Sequence, residues 1–464
     1  MGQEIAAVVL AAGEGKRMKS RLVKTAHKVA GLPIVTHVLR AALAVGASKV
    51  ITVVGKDAAE VEAAAQGLTQ FVTQHERLGT GHACQQAEGA LEDFAGVVLV
   101  LCGDAPLITP HTLARMLAAH ESAGALATVL TARPLDVRGL GRIKRAAGGE
   151  FVAIVEEKDA SPTEREIKEI NAGFYCFSAP HLFAALRQIN SDNAQGEYML
   201  TDVLALLRQQ GVITTVLTDD FAETIGINDR IWLCRAEEAL QKRIQEKLML
   251  GGVTIVSPST TYIEVDVQIG SDTVVWPGSV LKGSTVVGEG CQIGPSTVLE
   301  NAVVLDEATV VCSVVREARI GAHAEVGPFA HLRPGCELGS AVRIGNFVEV
   351  KKSSVGDETK ISHLSYVGDA VIGAGVNLGA GTIIVNYDGC TKHQTVIGEG
   401  AFVGCNSNLI APLVLGENSF VAAGSTVTCD VPANALAVGR ARQENKADWV
   451  LSRRRRSLDC ETKL

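Results

Sequence analysis

From Ile263 onward, aliphatic residues return every six positions. Ile, Val or Leu stands at 263 and at each sixth residue through Leu305 and Val311. The series restarts at Val314 and runs in sixes to Val350, then covers 355–367, 372–384 and 397–427. A period of six matches neither the 3.6 of an α-helix nor the 2.0 of a strand. It matches a parallel β-helix in which three hexads make one triangular coil and the aliphatic side chains stack inward. Burial of each is worth about 1.5–3 kcal/mol before chain entropy is subtracted. Glycine often follows the aliphatic residue, and the 47 glycines come without proline or serine tracts, so they read as corners of a regular fold. Between Ile384 and Ile397 the series breaks, and the polar stretch NYDGCTKHQ is expected to leave the coil as a functional loop.

The first part of the chain has a different rhythm. Short apolar runs (IAAVVL, KVITVVG, GVVLVLCGD, ALATVLTA, FVAIVE, AGFYCFS) alternate with segments of helical spacing such as PIVTHVLRAALAVG at 33–46. That pattern predicts a mainly parallel, Rossmann-like sheet covered on both faces, with ligands at the carboxyl ends of the strands. DRIWLCRAEEALQKRIQEKLML at 229–250 reads as one long helix of about 33 Å joining two bodies. The expected fold class is therefore α/β plus all-β: residues 1–228, a helical linker 229–250, and a left-handed β-helix with its tail at 251–464.

A net charge of −8 argues against a broad nucleic-acid surface, and RRRR at 453–456 reads as a solvated tail. Eleven scattered cysteines without a CxxC pair, and a first segment unlike a signal peptide, lead us to expect reduced thiols in a cytoplasmic protein. No apolar stretch approaches the roughly 18 residues of a membrane span.

The run LAAGEGKRM at 10–18 follows the first strand and is rich in glycine and positive charge, as a phosphate-holding loop should be. It fits neither the dinucleotide fingerprint, which would need glycine at Met18, nor the P-loop spacing. Backbone N–H groups around Gly13 and Gly15 can approach phosphate oxygens, Arg17 and Lys24 add charge, and Asp104 at the end of GVVLVLCGD is suited to Mg²⁺. In the repeat region Arg333, Lys351 and His363 stand near inward positions yet are too polar for a core, so they must project from the coil.

The spacing L-x-x-G-x-G-x-R-M followed by Lys24 resembles nucleotidyltransferases that make nucleoside-diphosphate sugars. LGTGHACQQA, CGDAPL, GLGRI, IVEEKDA, EINAG and GIND match in order, as do HLRPG, NFVEVKK, HLSYVGDA, NLGAGTI and NYDG. Together they make the whole chain similar to one family, the bacterial bifunctional glucosamine-1-phosphate N-acetyltransferase/N-acetylglucosamine-1-phosphate uridyltransferases. The resemblance implies uridylyl transfer from UTP by the first half, with contacts from Leu10, Ala11, Ala12, Gly13, Lys24, Gln74, Gly79, Thr80, Cys102, Gly103, Gly141, Glu156, Asn171 and Asn228. Asn228 joins Asp104 as the second Mg²⁺ ligand. In the second half it implies sugar-phosphate binding by Arg333, Lys351, Tyr366 and Asn377, His363 as general base, and acetyl-CoA contacts at Ala380, Asn386, Tyr387, Cys405, Ala423 and Arg440. It also implies a homotrimer.

Three positions depart from that family's habit: Cys102 stands for a common tyrosine, Val23 for proline and Cys405 for serine. Two other readings stay open, a nucleotidyltransferase with a regulatory β-helix and a regulatory subunit without chemistry.

Overall fold

A computed structural model describes residues 3–56 and 58–454, and the chain divides into two compact units. The first comprises residues up to Lys247 together with Ile263–Val265; the second comprises Leu248–Tyr262 and everything from Asp266.

The sheet of the first unit uses the expected apolar runs. Its strands are β1 (Ile5–Ala11), β2 (Lys49–Val54), β3 (Gln70–Thr73), β4 (Val97–Cys102), β5 (Ala127–Ala132), β6 (Arg142–Arg145), β7 (Phe151–Val155), β8 (Ile170–Ser178) and β9 (Ile213–Leu217). The order is β9-β5-β8-β4-β1-β2-β3, with β6 and β7 attached as a hairpin beside β8. Pairings along the main path are parallel except those of β8, which runs antiparallel to both neighbours. Alternate side chains of β1 enter two cores: Ala7 and Val9 pack on one face, Ala6 and Val8 on the other. A strand buried on both faces reads as a continuous apolar run, which is why IAAVVL shows no alternation.

The helix α1 (Arg230–Leu250) is not a free rod between two bodies. Ala236 and Leu240 are buried in a core with Met18, Val29, Ala30, Ile34, Leu107 and Ile227. The unit boundary therefore falls at 247, not at 228, because the helix puts one apolar stripe onto the first unit while its other faces stay polar.

The second unit is the left-handed β-helix of hexapeptide repeats. Its strands form three parallel sheets of 11, 10 and 9 strands. Each coil pairs with the next at 16 to 18 residues, as in Gln292 with Thr309, Thr309 with Glu325, and Glu325 with Arg343. Hexad aliphatics such as Val275, Leu299, Ile344, Ile361 and Leu409 are wholly buried. Two residues before most of them stands a second, smaller buried residue, for instance Thr273, Thr297, Thr359 and Ser407.

One stretch corrects the sequence reading. The inward residues are Val304, Val310 and Val315, whereas Leu305, Val311 and Val314 lie at intermediate depth. The slip is spread over several coils from 299 onward, and where two or three aliphatics adjoin, the six-residue count cannot choose between them. The corners also differ from expectation. Many carry a non-glycine residue at positive φ, among them Phe329, Phe347 and Leu364 at 61°, 58° and 51°. The NYDG segment does leave the coil: Asn377 pairs with Phe402, 25 residues on, while neighbouring coils keep their 17 or 18.

Candidate active sites

In the first unit, β1 and β4 end side by side, Leu10 opposite Cys102. The loops that follow, 12–24 and 103–107, frame a cavity of about 280 Å³ lined by Leu10–Gly13, Lys24, Gln74, Gly79, Thr80, Cys102 and Asp104. Most of the residues expected for nucleotide binding thus share one hollow at the carboxyl end of the sheet.

The local chemistry explains the shape. Gly15 (φ 65°) turns the glycine-rich loop back over Lys24, and a β-carbon on Gly15 would lie 2.5 Å from that of Lys24. The loop is anchored by Met18, which is buried, while Arg17 stays in solvent. Gly79 (φ 117°) opens the short helix Thr80–Gln85, where a β-carbon would strike the backbone of Tyr198. Gln74 is buried and its amide donates to the Gly79 carbonyl at 3.2 Å. Thr80 accepts from the Leu200 N–H at 3.1 Å. Gly103 donates its N–H to the Leu10 carbonyl at 2.9 Å, which ties the two loops together.

Asp104 and Asn228 lie far apart in sequence and meet through the backbone, the Ile227 N–H donating to the Asp104 carbonyl at 2.9 Å. Asp229 then caps α1, accepting the N–H groups of Ile231 and Trp232. The Lys24 ammonium sits between the two oxygens, ion-paired to Asp104 and 3.4 Å from the Asn228 side-chain oxygen. One cation can therefore touch both. Two protein oxygens with room for water suit a hard divalent ion such as magnesium.

Asn171 and Asn228 line instead a larger neighbouring cavity of about 780 Å³, walled by Arg133, Arg138, Trp232 and Arg235. The Asn171 amide donates to the buried Tyr175 hydroxyl at 2.7 Å, and its oxygen accepts the Gly173 N–H at 3.0 Å. On the β6–β7 hairpin, Gly141 faces the Glu156 carboxyl, which burial pushes above its usual range.

The sequence departures have physical accounts here. Cys102 turns its sulfur to the Gly173 carbonyl at 3.2 Å, and burial pushes its thiol up to about 12. Val23 adopts φ −62°, the angle proline would impose, so the segment before Lys24 keeps its course.

In the β-helix the register builds a column along one corner. Asn346 pairs with His363, Ala380 lies one coil further, and the Ala380 carbonyl accepts from Asn406, beside Cys405. The Cys405 carbonyl in turn accepts from Gly424, beside Ala423, and Arg440 packs near Gly424. His363 is exposed, and its Nδ1 meets the Asn346 side-chain oxygen at 2.8 Å. Because an amide oxygen can only accept, this bond is made by a ring carrying its proton on Nδ1, with Nε2 as the nitrogen left to accept. Successive coils stand about 4.8 Å apart, so His363 to Ala423 spans about 14 Å.

A second group collects on the adjoining sheet. Arg333, Lys351 and Tyr366 come from three consecutive coils, with Arg333 paired to Glu349 at 2.8 Å. Lys392 from the NYDG loop lies against Lys351, and that close side-chain contact, with the charge it brings, holds the Lys351 ammonium below the usual lysine range. Three cations thus neighbour one another here, with Glu349 and Asp369 as the nearby carboxylates. Asn386 is buried beside them and donates to Asp369 at 2.5 Å, away from the corner column. Tyr387 is tied back onto its own loop at Gly389, and Asn377 stands on the His363 sheet at the register of Lys360. Cys405 is exposed, as are Cys390, Cys234 and Cys429; Cys460, the end of the arginine run and the last residues of the tail lie outside the described residues.

Asn346, Lys392 and Arg77, whose Nε donates to the Ala12 carbonyl at 2.9 Å, were not flagged by sequence reasoning. The signal for Asn346 is its place 17 residues before His363, one coil back.

Residues 7–209 match the MobA-like NTP transferase domain, and 266–310, 317–352 and 394–429 match the bacterial transferase hexapeptide repeats. The protein named "Bifunctional protein GlmU" of Geobacillus sp. (strain WCH70) is 51% identical over 96% of this chain and 97% of its own length. The protein of the same name from Exiguobacterium sp. (strain ATCC BAA-1283 / AT1b) is 51% identical over 96% and 99%, and that of Bacillus velezensis (strain DSM 23117 / BGSC 10A6 / LMG 26770 / FZB42) 49% over 96% and 98%.

The chain belongs to the GlmU family. Its two units are the two transferase folds of that family, each carrying a separate polar site. Among the described residues no helix of the chain is long and apolar enough to cross a membrane.

Proposed function

We propose that the chain makes UDP-N-acetylglucosamine in two steps. The β-helix moves an acetyl group from acetyl-CoA to glucosamine-1-phosphate, and the first unit then joins the product to UTP. The observation that carries the two-step reading is the Asn346–His363 pair at the head of the corner column, since a merely regulatory β-helix has no use for an oriented, exposed imidazole.

In acetyl transfer, His363 Nε2 takes a proton from the sugar amine as the nitrogen attacks the thioester carbonyl. The carbon–sulfur bond breaks, and the thiolate leaves with its electron pair and is then protonated. Arg333, Lys351 and Lys392 hold the 1-phosphate, Tyr366 and Asn377 bound the sugar, and acetyl-CoA extends along Ala380, Cys405 and Ala423 toward Arg440.

In uridylyl transfer, a phosphate oxygen of N-acetylglucosamine-1-phosphate attacks the α-phosphorus of UTP while the bond to the bridging oxygen breaks and pyrophosphate leaves. Gln74, Gly79, Thr80 and the Leu10–Gly13 backbone seat the nucleotide, and Glu156 and Asn171 take the sugar. Asp104 and Asn228 would hold Mg²⁺, which when bound neutralises charge on the reacting phosphates. Lys24 and Arg17 supply the remaining positive charge.

The apolar ridge of Phe329, Phe347 and Leu364, each more than half exposed at one corner, supports assembly into a homotrimer through the β-helix. The exposed free thiols Cys234, Cys390, Cys405 and Cys429 support a setting that keeps cysteine reduced, as the cytoplasm does.

One incubation tests the reading: purified full chain with glucosamine-1-phosphate, acetyl-CoA, UTP and Mg²⁺ should yield UDP-N-acetylglucosamine. Formation of the product only when N-acetylglucosamine-1-phosphate is supplied would instead favour the nucleotidyltransferase with a regulatory β-helix.

A further inference from the structure

Beside the nucleotide pocket lies a second cavity of about 330 Å³, lined by Ala11–Glu14, Arg21, Val23, Gly55, Ala58, Val61 and Arg77. The two hollows share Ala11, Ala12, Gly13 and Arg77, so the glycine-rich loop and one guanidinium form their common wall.

Gly13 has an ordinary φ, and a β-carbon on it would meet no atom of the chain within 4 Å. Packing therefore does not require glycine at this point. The missing side chain leaves open space over the backbone, into which a ligand can come.

Arg77 is held in two ways: its Nε on the Ala12 carbonyl at 2.9 Å and its Nη1 on the Glu14 carboxylate. Glu14 also pairs with Lys16 at 2.8 Å, and Lys16 and Arg77 together keep its carboxyl below the usual range. A single carboxylate thus occupies the cations at this edge of the loop, while Arg21 stands on the same cavity from the other side.

We propose that this cavity is a phosphate subsite in which Arg77 and Arg21 are the cations and Glu14 is an internal carboxylate that an incoming phosphate displaces. Its ligand is a diphosphate group. That group is either the leaving end of UTP, in which case the inference deepens the uridylyl reading and rests on it, or a free phosphoanion bound next to the nucleotide. The Nε bond to Ala12 keeps Arg77 on the loop while Nη1 passes from Glu14 to the phosphate, so the exchange needs only a side-chain rotation. Guanidinium suits the task because its planar donors match phosphate oxygens in pairs.

The sign of one substitution separates this role from a structural clamp. If the Glu14–Arg77 pair only fastens the loop, Glu14→Gln loosens the site and weakens anion binding. If Glu14 competes with phosphate, Glu14→Gln tightens it. Calorimetric titration of the full chain with inorganic pyrophosphate should show severalfold tighter binding for Glu14→Gln. Arg77→Gln and Arg21→Gln should each bind about tenfold more weakly, and Arg77→Lys should fall between.

Pyrophosphate inhibition of uridylyl transfer then identifies the source. Inhibition competitive with UTP assigns the subsite to the nucleotide's own tail, and non-competitive inhibition assigns it to a free anion. Weaker binding in Glu14→Gln, or parental affinity in both arginine variants, overturns the proposal. A parent chain that binds pyrophosphate with these signs yet transfers no uridylyl group would leave the subsite standing and remove the uridylyl reading instead.

Discussion

The two halves of this chain reach a polar site by opposite routes. In the first unit the groups come from loops at the ends of β1 and β4, and distant pieces such as Asp104 and Asn228 are joined by one backbone hydrogen bond. In the β-helix no loop is needed to gather the column: Asn346, His363, Ala380, Cys405 and Ala423 stand together because each coil repeats the one before. The first arrangement can place any residue anywhere but depends on many contacts. The second is restricted to a grid about 4.8 Å high, and its precision comes from the fold itself.

The comparison breaks most severely at the unit boundary. A fragment ending at Leu250 should fold and retain uridylyl transfer, whereas one ending at Asn228 loses Ala236 and Leu240 from their shared core and should show no cooperative thermal transition. Equal melting of the two fragments would return α1 to the status of a linker. Next in size, Asp104→Ala should slow uridylyl transfer by about a thousandfold, matching the several kcal/mol that metal-assisted charge stabilisation contributes, with acetyl transfer unchanged. Unaltered pyrophosphate release would take Asp104 out of the metal site.

His363→Ala should lower acetyl transfer roughly 10²–10⁴-fold and leave uridylyl transfer alone. Full activity at neutral pH would make the imidazole structural. Asn346→Ala should cost less, about tenfold, because it frees the ring without removing it. A parental pH profile in that variant would show that the asparagine does not orient the base. The smallest effect concerns Cys405: Cys405→Ser should keep activity and remove most sensitivity to thiol alkylation, which acetyl-CoA should slow in the parent. Uridylyl transfer should resist the reagent, since burial holds Cys102 as a neutral thiol to about pH 12. Equal inactivation of Cys405→Ser and the parent would place that thiol away from the cofactor.

Much of this was legible in the residues. The six-residue period identified the coil, and the polar break after Ile384 located the loop that carries Lys392. What stayed hidden follows from degeneracy or distance. At Val303-Val304-Leu305, Val310-Val311 and Val314-Val315 adjacent aliphatics satisfy the same count, so the inward phase was misread until burial distinguished them. The Asn346–His363 pair depends on a coil length that varies between 16 and 18, and a linear pattern cannot supply it in advance. Arg77 was missed because its partner, the Ala12 carbonyl, is a backbone atom with no sequence signature. In the long helix, charged positions outnumber the buried ones, which made it read as a spacer although one narrow stripe packs.

The 25-residue step from Asn377 to Phe402 carries a consequence for how such a protein can change over time. Despite the extra residues, these two positions remain neighbours in the sheet, at the same rise as any other pair of coils. Insertions are therefore absorbed sideways and do not lengthen the axis. A lineage can try new loops at a corner without altering the distance from His363 to Ala423, whereas only the gain or loss of a whole coil alters that distance. Drift in the loops and conservation of the ruler are separate variables, and selection can act on one without disturbing the other.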